Sequence, residues 1–176
     1  MVTQRTNYIL PEKISKERIG LLNSKGIDFD IAQLDLEMIK MKIQNNDDGI
    51  KWTLEQCEDA EIEYKRYLTL CRHFPHPHYS VVPNKIMDTM WHYHILDTRA
   101  YVRDSEKIFD GYFHHFPYFG LRGEEDAIRL KETFEKTKVL YEKYFGESMI
   151  RNAGSDCWHD CEDRCWHACS DDDISS

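Results

Sequence analysis

Thr53 is followed three residues later by Gln56, and from there Leu54, Cys57, Ala60, Tyr64, Leu68 and Cys71 recur at intervals of three and four. A Thr-x-x-Gln pair of this kind is a capping box, in which each residue satisfies a backbone amide that the first helical turn leaves without a partner. The spacing after it describes the apolar face of a helix of roughly twenty residues. Helical patterns occupy most of the remaining chain.

Pro11 followed by EKISKERIGLLNSKG predicts a helix with Pro11 in its first turn and Gly26 as its stop. From Asp28 to Asn45, Ile31, Leu34, Met38 and Met41 recur at helical spacing, and Leu36, Ile39 and Ile43 widen the stripe. This predicts one helix, ended by NNDDG. The stretch Phe74 to Pro83, FPHPHYSVVP, contains Pro75, Pro77 and Pro83, which forbid a regular helix. His76 and His78 fall on one side of an extended segment, close to His73; they read either as loop histidines facing water or as ligands converging on one ion. Beyond Pro83 the pattern predicts a helix from Asn84 to Leu96. A second should start at the cap residue Asp97 and run through Tyr101, Val102, Ser105, Ile108 and Phe109 to Gly111. A last long helix, Glu124 to Phe145, takes Ala127, Leu130, Phe134 and Tyr141 as its core face and Gly146 as its stop. The expectation is a single all-α domain of five to six helices over residues 1–152, followed by a short acidic Cys/His-rich tail over 153–176.

A chain of 176 residues can bury about two thirds of its unfolded surface without disulfides. Its formal charge of −9, with no cluster of Lys and Arg, opposes nucleic-acid binding, which depends on phosphate neutralisation. No run approaches the ~20 apolar residues of a membrane span, and MVTQRTNYILPEK lacks the apolar core of a signal peptide. The expected compartment is the cytoplasm, where thiols stay reduced. The six cysteines then divide into a core pair, Cys57 and Cys71, and four available thiols in the tail.

Four of the nine histidines lie between Met87 and Gly120. On a helix, residues two apart point about 200° away from each other, so His92 and His94 cannot share a site. Met87, Met90, Trp91 and His94 form one stripe, which puts His94 on the apolar side in need of a hydrogen-bond partner. Asp88 and His92 share the adjoining face at i, i+4, where they can build a buried hydrogen bond or orient an imidazole for a metal, with His114 or His115 as the distant ligand. A polar centre of Asp88, Trp91, His92, His94, Tyr101 and His115 is expected. The hydrolytic zinc pattern H-E-x-x-H is absent, and Leu96 stands one turn from His92 where a second ligand or base would be needed. With no recognisable nucleophile or phosphate loop either, the sequence points to a protein that is not an enzyme.

The run from Asp88 to Tyr101, D-x-M-W-H-x-H-I-L-D-T-x-x-Y, and F-D-G-x-F-H-H-x-P from Phe109 to Pro117 resemble the glycine-rich domain-containing-protein-like family. The resemblance covers roughly residues 10 to 147, strongest in the middle third. It implies a helical domain of poorly defined function in which Asp88, Trp91, His92, His94, Thr98, Tyr101, Gly111, His115 and Pro117 are motif residues. It also implies, for plant relatives, roles in development and stress and a proposed RNA-binding role that the acidic charge of this chain opposes. Two departures stand out: Ser105 occupies a place where similar proteins often carry Cys, and the glycine-rich region is missing.

After Asn152 to Ser155 comes CWHDCEDRCWHACSDDDISS, an eight-residue near-repeat with Cys157, Cys161, Cys165 and Cys169 four apart. Residues Ser155 to Ser176 hold seven Asp or Glu and one Arg, a net of −6 out of the total −9. If helical, the tail would spread its cysteines over roughly 18 Å, which suits two ions held by i, i+4 pairs; a wrapped tail could enclose one. His159 and His167 add imidazole nitrogens. Thiolate with imidazole selects zinc, copper or iron, so the expected function is a non-enzymatic helical scaffold whose tail binds a transition metal, with a metal-handling protein as partner. The alternative is a precursor of a ribosomally synthesised, modified peptide. There the helical domain is the leader, Cys157 to Cys169 is the modified core, and the partner is a modifying enzyme acting on clustered thiols. Neither reading involves nucleic acid or membrane.

Overall fold

The structure, a computed structural model, describes residues 9–46, 49–75 and 81–149. Among them are seven helices and no strand: α1 (Lys16–Ser24), α2 (Phe29–Ala32), α3 (Glu37–Gln44), α4 (Leu54–His73), α5 (Lys85–Leu96), α6 (Thr98–Phe109) and α7 (Glu124–Phe145). The all-α expectation holds for these residues, with more helices than the five or six anticipated. The tail residues Cys157, His159, Cys161, Cys165, His167 and Cys169, together with His76 and His78, lie outside the described residues.

The capping box forms as read: the Thr53 hydroxyl accepts from the Gln56 amide at 3.2 Å and the Gln56 side chain accepts from the Thr53 amide at 2.9 Å. Beyond it α4 departs from a one-sided helix. Leu54, expected on the core face, is exposed, whereas every residue from Ala60 to Leu70 is buried. A helix covered all round is the central member of its bundle. It therefore draws four charged side chains inward, Glu61, Glu63, Lys65 and Arg66.

Those charges explain why the expected helix over 28–45 is broken. The Lys65 ammonium donates to the carbonyls of Ala32 and Leu34 at 3.0 and 2.8 Å, and to Glu61 Oε1 at 2.7 Å. The last carbonyl of α2 and that of Leu34 just beyond it are thus satisfied by a buried cation instead of a continued helix. The chain turns, α3 begins at Glu37, and Leu36, Ile39 and Ile43 face the core while Met38 is exposed. The second oxygen of Glu61 receives Lys40 at 3.2 Å and Arg18 at 2.9 Å, so α1 and α3 are tied to one carboxylate on α4. Burial opposes charge on Glu61, but Lys65, Lys40 and Arg18 outweigh it and hold the carboxyl below its usual range.

Three further expectations are corrected at helix ends and faces. Pro11 does not open α1; the Ser15 hydroxyl accepts from the Arg18 amide at 3.1 Å, and that cap starts the helix at Lys16. On α7, Ala127 is exposed and Asp126 is buried in its place, followed by Leu130, Phe134, Thr137 and Tyr141. On α6, Val102 is exposed while Tyr101, Asp104, Ser105 and Ile108 are buried. α7 is fastened to α4 by the Tyr141 hydroxyl, which donates to Glu63 Oε1 at 2.5 Å and accepts from Arg66 at 2.9 Å.

Glu61→Gln is expected to cost about 3 to 5 kcal/mol, because it leaves buried cations without their counter-charge. Urea denaturation monitored by circular dichroism measures it; a midpoint equal to that of the parent protein would contradict the central place given to this carboxylate.

Candidate metal centre beside an aromatic cavity

The α5 helix is started by Asn84, whose side chain accepts from the Met87 amide at 2.9 Å. It packs on α4 through Tyr67 against Trp91, ring centroids 5.3 Å apart, and through Tyr64 against His94. The buried stripe Met87, Met90, Trp91 and His94 lies as the spacing predicted. His94 finds two partners: its Nε2 lies 3.2 Å from Asp104 Oδ2 and its Nδ1 lies 3.0 Å from the Tyr64 hydroxyl. A carboxylate only accepts, so Nε2 donates to Asp104, and in the neutral ring Nδ1 accepts from Tyr64. Burial opposes charge on Asp104, but hydrogen bonds from His94 and Arg103 prevail and keep its carboxyl below the usual range. Every nitrogen of His94 is used in holding α4, α5 and α6 together.

One turn and one face away the arrangement differs. Asp88 and His92 stand at i, i+4 on α5, and the loop after α6 brings His115 to both. His115 Nε2 lies 3.0 Å from Asp88 Oδ1 and 3.1 Å from His92 Nε2, and His92 Nε2 lies 3.6 Å from Asp88 Oδ2. Three ligand-type atoms therefore converge. His114, the other candidate for the distant ligand, packs instead against Tyr112, ring centroids 4.8 Å apart. The Asp88 side chain is 5 % exposed, that of His115 11 % and that of His92 50 %, so the triangle opens to solvent on the His92 side.

The loop that delivers His115 is held at both ends. Tyr101 donates its hydroxyl proton to the Phe113 carbonyl and accepts from Trp91 Nε1 at 2.8 Å, so a residue of α6 locks the loop onto α5. The rings of Trp91 and His115 meet edge to face at 4.4 Å, and Phe113 stacks on Trp91 at 5.0 Å and on Phe109 at 4.2 Å. At the far end Asp126 accepts from the amides of Gly120 at 2.7 Å and Arg122 at 3.3 Å, and pairs with the Arg122 guanidinium at 2.7 Å. Gly120 has φ +91°, and a Cβ there would stand 2.5 Å from Leu130 Cδ2, so this crossing requires glycine.

His115 also borders a cavity of about 490 Å³ whose wall includes Tyr67, Cys71, Trp91, Phe113 and Phe119. Cys71 is pushed up to about 12 by its burial, and Cys57 to about 11 by its own. Both are free thiols, and neither is a thiolate at neutral pH.

The polar centre named from the sequence thus divides in two. Trp91, His94 and Tyr101 are structural, while Asp88, His92 and His115 converge. Asp104 and Asp126 were missed. Asp104 had a legible signal, because it shares a stripe with Tyr101, Ser105 and Ile108. Asp126 shares the stripe of Leu130 and Phe134, but its partners lie in a loop that no periodicity describes.

The chain matches the UCP032817-like family over residues 33–138, more than half of its length, and belongs to that family. The resemblance to the glycine-rich domain-containing-protein-like family is corrected by this match. No curated protein and no solved structure matches the chain. No helix among the described residues is long and apolar enough to cross a membrane.

Replacing His94 with Ala is expected to destabilise the fold by about 1 to 3 kcal/mol, because Asp104 and Tyr64 lose their buried partner. His92→Ala should stay within about 0.5 kcal/mol of the parent, as exposed positions do; the larger loss appearing at His92 would overturn the division. Asp126, held at about 2 first by its Arg122 hydrogen bond, stabilises the folded state at pH above its unfolded value of about 3.9. That contribution is lost as pH falls from about 4 towards 2, so Asp126→Asn should flatten the stability profile over this window. Identical acid profiles for parent and variant would refute the assignment.

Proposed function

We propose that this UCP032817-like protein is a non-enzymatic helical metal-binding protein that holds one divalent transition-metal ion on Asp88, His92 and His115. The carrying observation is the convergence of Asp88, His92 and His115: the two imidazole Nε2 atoms lie 3.1 Å apart, that of His115 3.0 Å from Asp88 Oδ1 and that of His92 3.6 Å from Asp88 Oδ2. Ligands placed about 2.0 to 2.1 Å from zinc in tetrahedral array stand about 3.3 Å from one another, a spacing within the range of these separations. Three acceptor-rich atoms facing one point also hold fewer protons than lone pairs. A cation at that point meets all three at once. Two imidazoles and one carboxylate suit zinc or iron(II), and both helical ligands and the loop ligand are fixed before the ion arrives. An imidazole ligates a metal only through a nitrogen that carries no proton, so affinity should rise with pH.

The Cys/His tail supplies a further ligand set of softer character, which fits a reducing cytoplasm. The competing reading, a modified-peptide precursor, predicts mass changes confined to Cys157–Cys169 and no metal on the domain.

Isothermal titration of zinc into the reduced full chain tests the proposal, alongside His115→Ala and a variant with all four tail cysteines changed to serine. His115→Ala should lose one zinc equivalent, and the serine variant should keep that equivalent. The same stoichiometry in His115→Ala and the parent would contradict the proposal.

A further inference from the structure

The cavity of about 490 Å³ beside His115 includes neither Asp88 nor His92 in its wall. Its size falls within the ~300–1,000 Å³ of small-molecule pockets. Six aromatic rings contribute to the wall, those of Tyr67, Phe74, Trp91, Phe113, Phe116 and Phe119. Phe113 stacks on Trp91 with the ring planes 21° apart. The Cys71 thiol in the same wall, pushed up to about 12 by its burial, is uncharged at neutral pH. The interior is therefore apolar and largely aromatic.

The ionisable groups gather at the rim. Phe113 and Phe119 are half-buried, whereas His114, Phe116 and Arg122, which also border the cavity, are exposed. No Asp or Glu is among the described residues that line it, and the imidazoles of His114 and His115 and the Arg122 guanidinium carry positive charge or none. Arg122 stands over the Phe116 ring, 5.1 Å from its centroid. Its Nε and Nη2 both donate to Asp126, at 3.1 and 2.7 Å, and among the described residues its Nη1 makes no hydrogen bond. Arg129 reaches the same carboxylate at 3.5 Å. Two guanidiniums thus share one buried anion, and this group of three keeps one positive charge. Glu124 and Glu125 in the adjoining turn are exposed and outside the wall.

We propose that the cavity binds a small aromatic monocarboxylate, its rings against Trp91, Phe113 and Phe119 and its carboxylate at the rim on Arg122 Nη1. Charge complementarity selects the anion, since a cationic ligand would meet only like charge at that rim. The rings select an aromatic body, which gains from stacked and edge-to-face contacts beyond the area it buries. The guanidinium gives the carboxylate a charge-assisted hydrogen bond. The wall is set in advance, because Tyr101 holds the Phe113 carbonyl and Asp126 the Gly120 amide. This site stands on its own observations and does not rest on a metal at Asp88, His92 and His115.

The test uses the reduced full chain, isotope-labelled and kept in chelator so that no metal takes part. 2-Naphthoate is titrated and followed by calorimetry and by amide and indole resonances, with 2-naphthamide as the neutral probe of the same shape. The acid should bind at one site, shifting the Trp91 indole and the Phe113 and Phe119 amides. The amide should bind there about tenfold more weakly or worse, the loss of one charge-assisted hydrogen bond. Arg122→Gln should bind acid and amide alike, and Val81→Trp, which fills the cavity from its wall, should bind neither. Acid and amide of equal affinity for the parent chain would overturn the proposal without recourse to any variant. So would shifts that miss Trp91, Phe113 and Phe119, or no binding of either probe. A preference for the acid that survives in folded Arg122→Gln would remove Arg122 from the site and overturn it as well.

Discussion

A single buried carboxylate organises this fold. Glu61 has no exposure to water, and three cations from three different segments end on it: Lys65 on its own helix, Lys40 on α3 and Arg18 on α1. Lys65 then reaches past it to the carbonyls of Ala32 and Leu34, which ends α2 and turns the chain towards α3. Ion pairs at such depth repay their desolvation only when every donor and acceptor is used. This one does so by spending its hydrogen bonds on backbone carbonyls, and in return it fixes where two helices end and begin.

From that anchored central helix the candidate site follows by steps. α4 presents Tyr64 and Tyr67 to α5, and these fix His94 and Trp91. Trp91 in turn positions Tyr101, which holds the Phe113 carbonyl and so sets His115 opposite Asp88 and His92. The far side of the loop is closed by Asp126. Only the last step of this chain of contacts reaches the candidate ligands. A candidate ligand set built on a helix and a doubly fastened loop has the preorganisation that the proposed coordination requires.

The sequence made some of this legible and concealed the rest for physical reasons. Periodicity found α4 to α7, because their apolar stripes, Thr53 and Gln56, Asn84, Asp97 and Gly146 obey local rules. It found the pairing of Asp88 with His92 from their i, i+4 spacing. It joined α2 to α3, because Ile31, Leu34, Leu36, Ile39 and Ile43 continue one pattern and the break is caused by Lys65, some thirty residues away. It placed Pro11 in a helix that Ser15 begins. The loop from Asp110 to Gly123 carries no period at all, so the choice between His114 and His115, and the whole role of Asp126, needed coordinates. The glycine-rich resemblance failed for a related reason: a short run of motif residues matched, while the family of the chain is the UCP032817-like one.

The most direct test of this account is X-ray absorption at the zinc edge on the fully reduced, zinc-loaded chain. The account predicts an ion with nitrogen and oxygen neighbours at about 2.0 to 2.1 Å and outer-shell scattering from two imidazoles. A shell made of sulfur alone, or one without imidazole scattering, would contradict it and leave Asp88, His92 and His115 as a hydrogen-bonded cluster.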